Sequence, residues 1–152
     1  MFGEYMKKLL LVFFGIIFFT GCGSKNVMKC SYKSKDHDRT IDLSYSVKYN
    51  GNRVRSVKSV EKVSSSDLEV INSYKEDVEF FYEPFKYVDN YNYSIKSNNK
   101  SITVTTSINY SKIDLNEMIM IDPNIEQLID DGYIDLELMK ISYENLGLKC
   151  KK

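Results

Sequence analysis

The sequence predicts an α+β domain, in which an antiparallel β-sheet of about four to five strands is covered on one face by helices. Three observations favour this class. Apolar and polar residues alternate over residues 41–49 and 101–110, which is typical of half-buried strands. Short turn-forming segments join consecutive strands into two hairpins. The apolar spacing becomes helical between the hairpins and again after the second one, which predicts one helix between the hairpins and C-terminal helices packed on the sheet.

The first hairpin is predicted from two β-branched and aromatic segments. Residues 41–49 form one strand, Asn50, Gly51 and Asn52 form a turn, and residues 53–63 form the next strand. The valines of this second segment recur every three residues, which fits neither a strand nor a helix. The spacing predicts a β-bulge.

The helix between the hairpins is predicted from its ends. Ser66 and Glu69 match a capping box, and Pro84 disfavours helix at Glu83, so the helix is expected to end there. Its expected buried face consists of Leu68, Ile71, Val78, Phe81 and Phe85.

The second hairpin is predicted over residues 87–96 and 101–110. Tyr91, Tyr93 and Ile95 share one parity, so we interpret them as the apolar face of a strand. An alternative is that the aromatic rings, including that of Tyr87, are exposed and bind a sugar or a peptide.

Two helices are predicted in the last forty residues. Asp122 and Pro123 are typical of a helix start, and Gly132 of its end. Asp135 is expected to begin the final helix, which ends at Gly147. The expected buried face of that helix consists of Leu136, Met139, Tyr143 and Leu146.

The N-terminal residues indicate a secreted and anchored protein. Lys7 and Lys8 precede an apolar run over residues 9–19, which is too short to span a bilayer but matches a signal-peptide core. The following Thr-Gly-Cys resembles a bacterial lipobox. The resemblance implies a lipoprotein signal peptide over residues 1–21, a diacylglycerol thioether on Cys22, a short linker over residues 22–26 and a single domain over residues 27–152. A transmembrane anchor and a secretory peptide cut elsewhere remain the alternatives.

A lipobox implies a location and a partner. Two acyl chains hold a protein stably on a membrane, so the domain is expected at the extracytoplasmic face of the cell membrane, with membrane lipid as the partner of its anchor. Lysine and arginine total 21, as do aspartate and glutamate, so the overall charge does not indicate a nucleic-acid-binding protein.

Charge is distributed unevenly along the chain. Residues 29–62 contain nine basic and four acidic side chains, whereas residues 113–139 contain eight acidic and no basic ones. We interpret these as faces that meet each other or face solvent. An alternative hypothesis is that the basic half contacts anionic lipid, because residues 23–26 reach only roughly 15 Å from the anchor.

Two cysteines remain once Cys22 carries lipid. Cys30 and Cys150 are an even pair in a non-cytosolic setting, so we predict a disulfide between them. The alternative is one buried free thiol and one thiol in a frayed C-terminus. No metal site is expected, because two thiols and one histidine do not complete a tetrahedral set.

Candidate chemistry is sparse. Asp36, His37 and Asp38 lie in a polar segment that we interpret as a loop, and no nucleophile, base and orienting group can be assembled from the sequence. Asp131 and Gly132 resemble part of a calcium loop, but most of the other ligand positions lack oxygen donors. We therefore expect no enzyme activity, no metal and no cofactor.

The order of elements, the lipobox and the sequence of residues 143–150, Tyr-Glu-Asn-Leu-Gly-Leu-Lys-Cys, together resemble the YehR-like group of small, uncharacterised bacterial lipoproteins. The resemblance implies a membrane-anchored domain of unknown function. We expect it to bind or support an envelope component without catalysis. Two alternatives are an enzyme accessory or weak hydrolase that uses the segment from Asp36 to Asp38, and a passive structural surface lipoprotein.

Overall fold

A computed structural model describes residues 26–36 and 38–152 and contains a sheet of six strands, antiparallel at every pairing. Across the sheet the strand order is β4-β5-β3-β2-β1-β8, and β6 pairs with β7 in a separate two-stranded ribbon. The strands are β1 (Val27–Asp36), β2 (Arg39–Asn50), β3 (Arg53–Ser65), β4 (Tyr91–Asn98), β5 (Ser101–Ile108), β6 (Ile129–Asp130), β7 (Tyr133–Ile134) and β8 (Lys149–Lys151).

Helices cover one face of this sheet, as predicted. They are α1 (Leu68–Tyr82) with a following 3-10 helix (Glu83–Tyr87), α2 (Leu115–Ile121) with a following 3-10 helix (Pro123–Leu128), and α3 (Leu136–Asn145). Tyr82 of α1 stacks on Tyr93 of β4, and Tyr143 of α3 packs on Tyr45 of β2. No helix in the described part of the chain is long and apolar enough to span a membrane.

The predicted α+β class is therefore confirmed, but the strand count of four to five is wrong. The additional strand of the main sheet is β8, whose three residues pair with Lys29, Cys30 and Ser31 of β1. Three residues are too few to show an alternating pattern, so the sequence carries no local signal for this strand.

The predicted bulge is present, and it explains the spacing of the valines. The β2–β3 register shifts between Lys48 and Tyr49, so that the inward parity of β3 changes between Val54 and Val57. Val54, Val57 and Val63 are buried, whereas Val60 points to the other face and is 43% exposed.

Helix α1 begins one residue later than predicted. Its N-cap is Asp67, not Ser66, and the Asp67 carboxylate accepts a hydrogen bond from the backbone N–H of Glu69 at 2.8 Å. The predicted buried face was also wrong in part, because Leu68 and Phe81 are exposed and Tyr82 is buried. The helix ends at Tyr82, immediately before the 3-10 segment that contains Pro84, as expected.

The segment between β5 and α3 differs most from the prediction. Helix α2, which begins after Asp114, was not predicted, because seven residues give too short a periodic pattern. The segment after Asp122 is a 3-10 helix, and Gly132 does not end a helix. Asp131 and Gly132, with φ of 48° and 78°, instead form the two-residue turn of the β6–β7 hairpin.

The second hairpin and the last helix match the prediction with shifted bounds. Residues 87–90 precede β4, and the hairpin turn lies at Asn99 and Lys100. Asp135 caps α3 and Gly147 follows its end with φ of 89°, both as expected. Leu146 was expected in the core but is 72% exposed.

One buried apolar cluster lies between the sheet and the helices, and all of its members fall between Met28 and Leu148. Met28, Val47, Ile102 and Val104 of the sheet are completely buried in it. We call this side of the sheet the covered face. The chain from Asn26 to Lys152 thus contains a complete core of its own.

Candidate binding surfaces

The predicted lipidation site, Cys22, lies outside the described residues. The structure contains the predicted disulfide between Cys30 and Cys150, with an S–S distance of 2.02 Å and a Cα–Cα distance of 4.0 Å. The two cysteines are directly opposite each other in the β1–β8 pair. The disulfide therefore fixes the C-terminal strand to the first strand of the sheet.

Asp36 and Asp38 lie at the end where β1 and β2 are joined. Asp36 ends β1 and pairs in register with Arg39, and Asp38 is exposed in the turn. His37 lies outside the described residues. The described part of the segment has the position expected of a hairpin loop at the end of the sheet. Within the described residues, no group of three His, Cys, Asp or Glu side chains is placed to hold a metal ion.

The acidic segment that resembles part of a calcium loop is organised around Asp135. The carboxylate of Asp135 is buried and accepts hydrogen bonds from the backbone N–H groups of Glu137 and Leu138 at 2.8 and 2.9 Å. It also accepts a hydrogen bond from the side-chain amide of Asn52 in the β2–β3 turn. These contacts use the Asp135 oxygens to cap α3 and to attach it to the sheet.

A polar cluster lies within the covered face around Glu61. The Tyr45 hydroxyl donates to Glu61 Oε1 at 2.7 Å, and the Tyr82 hydroxyl lies 3.5 Å from the same oxygen. Burial raises the pKa of both tyrosines above the ordinary value, and the nearby Glu61 carboxylate raises it further. Beside this cluster, the buried hydroxyls of Ser59 and Thr106 are 2.7 Å apart. Raised pKa values keep the phenols protonated, so they act as hydrogen-bond donors that satisfy a partly buried carboxylate.

The tyrosines of the second hairpin divide between the core and the surface. Tyr91 stacks on Phe85 with ring centroids 4.6 Å apart, and Tyr93 and Ile95 also pack against the core. The interpretation of these residues as the apolar face of a strand is confirmed. Tyr87 lies in the 3-10 helix after α1 and is 76% exposed.

A groove of about 540 Å³ separates α3 from the second 3-10 helix. The carboxylate of Asp122 at its edge already accepts hydrogen bonds from the backbone and side-chain nitrogens of Asn124, at 3.0 and 2.9 Å. The apolar side chains that line the groove are Ile125, Leu128, Leu138, Ile141 and Leu146. The groove is thus a mainly apolar surface feature with amide groups at its rim.

The opposite side of the sheet is not covered by any described element, and we call it the open face. Its residues are those that alternate with the covered residues along each strand. Lysine, serine, threonine and asparagine make up almost all of them, and none is buried. The lysines of the open face are Lys29, Lys33 and Lys35 of β1, Lys48 of β2, Lys58 and Lys62 of β3, Lys96 of β4, and Lys149 and Lys151 of β8.

On the open face of the described strands, one acidic side chain accompanies these nine lysines. Asp42 lies opposite Lys33, and its carboxylate is 3.1 Å from the Lys33 ammonium group. Apart from Arg53 at the start of β3, whose guanidinium lies over the Tyr133 ring, nine lysines against one aspartate give the open face a formal net charge of +8. At its centre is a shallow depression of about 540 Å³ whose lining is mostly apolar and comes from β1, β2, β3 and β5; Ser44, Ser46, Lys29 and Lys58 lie around it.

The sequence alone shows the excess of basic residues but does not show that they lie on one surface. The basic segment over residues 29–62 supplies six of the nine lysines, whereas Lys96, Lys149 and Lys151 come from distant parts of the chain. The available signal was the parity of the lysines, which alternate with apolar residues in β1 and β2. Strand order was also needed to place them on one surface.

Two solved structures share this architecture. The NMR structure of the E. coli YehR protein matches with a TM-score of 0.58 at 15% identity, over 85% of this chain and 94% of that chain. The NMR structure of a protein from Streptococcus pneumoniae TIGR4 matches with a TM-score of 0.53 at 14% identity, over 84% of this chain and 87% of that chain. No protein-family profile matches the sequence, and no curated protein sequence does. The chain therefore has a YehR-like fold, and at this level of identity the likeness extends to the fold alone.

Proposed function

We propose that this protein is a bacterial lipoprotein, anchored through Cys22 at the extracytoplasmic face of the cell membrane, whose domain binds or supports an envelope component without catalysis. The anchor rests on the lipobox resemblance of residues 6–24. The disulfide between Cys30 and Cys150 supports an oxidising location for the domain.

The observation that carries the binding role is the open face. A sheet of six strands presents one whole side as an accessible surface, rich in hydroxyl and ammonium groups. Such a surface makes contacts over a broad area. A catalytic site instead needs a nucleophile, a base and an orienting group within hydrogen-bond reach of one another.

Asp36 and Asp38, on which the alternative hydrolase would depend, lie at a hairpin end. The Glu61 cluster is a group of polar side chains inside the domain, and its tyrosines are held protonated by burial. It links α1 to β2 and β3 of the sheet through the hydroxyls of Tyr82 and Tyr45 near Glu61. These placements support the proposal that the domain has a non-catalytic role.

The experiment that tests the anchor is the intact mass of the protein recovered from membranes of its host, measured before and after reduction and alkylation. We expect a mass equal to residues 22–152 plus an acylated thioether, with two thiols appearing only after reduction. The matched control is Cys22→Ser, which is expected to lose both the lipid and the membrane association. A native protein that retains residues 1–21, or that lacks lipid, would contradict the proposed anchor.

A further inference from the structure

We propose that the open face docks the domain on the anionic phospholipid surface of the membrane to which the protein is attached. This inference rests on the proposed function and makes it more specific. The envelope component is the layer of lipid headgroups, and the binding surface is the open face. Its physical basis is charge complementarity between a broad basic surface and a broad anionic one.

Charge separation within the domain is the first argument. Residues 26–152 contain 18 basic and 20 acidic side chains, because Lys7, Lys8, Lys25 and Glu4 lie before them, so the domain has a formal net charge of −2. The open face nevertheless carries a net charge of +8. The helical segments on the other side, residues 67–87 and 113–145, contain 15 acidic and 3 basic side chains. The domain is therefore strongly dipolar, and an anionic surface attracts one side of it and repels the other.

The arrangement of the lysines indicates a diffuse partner. They are spread over β1, β2, β3, β4 and β8 instead of converging on one point, as a site for a single phosphate group would require. Among the described residues of the open face there is no aromatic ring, so the stacking platform typical of single-stranded nucleic-acid binding is missing there. Lysine ammonium groups on flexible stems suit a fluid layer of headgroups, because they need no fixed geometry.

The attachment point supports the same partner. Strand β1 begins at Val27, and residues 23–26 reach roughly 15 Å when extended. Lys29 lies two residues into this strand, opposite Lys151 of β8, and Lys48 of β2 is opposite Val27. The end of the open face nearest to the chain entry is thus basic, and a short connection keeps it within reach of the bilayer.

The test uses the chain from Asn26 to Lys152, which contains the complete core and the disulfide, mixed with vesicles of phosphatidylcholine alone or with added phosphatidylglycerol. Sedimentation of the vesicles measures the bound fraction. We expect binding that rises with the anionic lipid content and falls with salt, although the domain itself has a net negative charge. Because this chain lacks Cys22, its result does not depend on whether the anchor forms.

Two triple variants separate surface location from overall charge. Lys29→Gln, Lys58→Gln and Lys151→Gln together remove three charges from the open face, whereas Lys75→Gln, Lys86→Gln and Lys140→Gln remove three from the helical side. Each lysine near a membrane surface contributes about fivefold to partitioning, so the first variant is expected to bind at least about tenfold more weakly. The second variant is expected to bind within about twofold of the unmodified chain, since those lysines face away from the bilayer.

Several results would overturn the proposal. They are the absence of binding to anionic vesicles, equal losses in the two triple variants, or binding to soluble polyphosphate without binding to vesicles. Sedimentation of the domain at low salt in controls without vesicles would show that the domain self-associates. In that case the open face would bind a second copy of this chain and not lipid. Circular dichroism of both variants checks that each one is folded.

Discussion

The two faces of the sheet are built from the same strands and differ in almost every property. On the covered face, Met28, Val47 and Ile102 are completely buried, and polar side chains such as Tyr45 and Glu61 are hydrogen-bonded to each other. On the open face the neighbouring residues of the same strands are lysines and small hydroxyl residues, and all of them remain in contact with solvent. Alternation along each strand thus separates the residues that determine stability from those available for binding.

The comparison shows that tertiary structure concentrates charge that is balanced in the sequence. The chain has equal numbers of basic and acidic residues, yet strand order gathers lysines from five strands on one side. The sheet bonds of this surface depend little on which polar residue occupies each position. We therefore expect substitutions on the covered face to change stability and substitutions on the open face to change binding.

Loss of the disulfide is expected to have the largest effect on stability. The bridge joins two residues that are 120 positions apart, and it attaches β8 to the edge of the sheet. The Cys30→Ala and Cys150→Ala double variant should lose about 2 to 5 kcal/mol of the free energy of unfolding, because the unfolded chain is no longer closed into a loop. Urea unfolding with and without reductant measures the loss, and the reductant should have no effect on the double variant. An unchanged midpoint after reduction of the native chain would contradict this role.

A pair of valines in β3 tests the two faces most directly, because the residue type and the strand are the same. Val63→Ala removes buried methyl groups and should lower the free energy of unfolding by about 2 kcal/mol. Val60→Ala, on the open face, should lower it by less than about 1 kcal/mol, which is the strand-propensity loss that the two variants share. Chemical unfolding of both variants checks the difference, and equal losses would show that the open face is covered in the folded protein.

The Glu61 cluster should make stability depend on alkaline pH. The pKa values of Tyr45 and Tyr82 are raised in the folded protein, so the folded state keeps its phenolic protons after the unfolded chain has lost them. The contribution of these two tyrosines to the free energy of unfolding is then fully present below the unfolded pKa of about 10, and it decreases as the pH rises above that value. Unfolding curves across this range, together with absorbance of the phenolate, measure the effect.

Tyr45→Phe sharpens this expectation. It removes the hydrogen bond to Glu61 and should cost about 1 to 2 kcal/mol near neutral pH, while making the alkaline loss of stability smaller. Tyr87→Phe is the matched control, because Tyr87 is exposed and should change the free energy of unfolding by less than about 0.5 kcal/mol. An alkaline dependence in Tyr45→Phe equal to that of the native chain would contradict the role assigned to this hydroxyl.

The smallest effect on stability is expected at the lysines of the open face. Lys58→Gln leaves the stem of the side chain in place and should change the free energy of unfolding by less than about 0.5 kcal/mol. A larger loss, measured by urea unfolding, would indicate that Lys58 makes a structural contact.

Much of the fold could be predicted because long alternating strands and capped helices carry local signals. The strand over residues 41–49, the bulge in β3 and the start of α3 at Asp135 were all predicted. The exceptions depended on context. Strand β8 has three residues and is held by β1 and the disulfide, and Asp131 with Gly132 forms a hairpin turn where a helix end was expected. Such elements are determined by what they pair with, which no local pattern shows.

The candidate surface could be predicted only in part for the same reason. The basic segment was apparent in the sequence, and it supplies six lysines of the open face. The surface is complete only with Lys96, Lys149 and Lys151, which strand order brings next to them. The helical side chains show the reverse problem. Phe81 and Leu146 fit a helical stripe, yet both are exposed, because neighbouring residues such as Tyr82 occupy the core.

The most direct test of the two-faced arrangement is the chemical reactivity of its lysines on a membrane. The lipidated protein, reconstituted in vesicles with and without phosphatidylglycerol, would be treated with an amine-reactive reagent and the modification of each lysine determined by mass spectrometry. We expect anionic lipid to protect Lys29, Lys58 and Lys151 of the open face and to leave Lys75 and Lys140 of the helical side reactive. Protection that is equal on both sides, or confined to the helical side, would contradict the account.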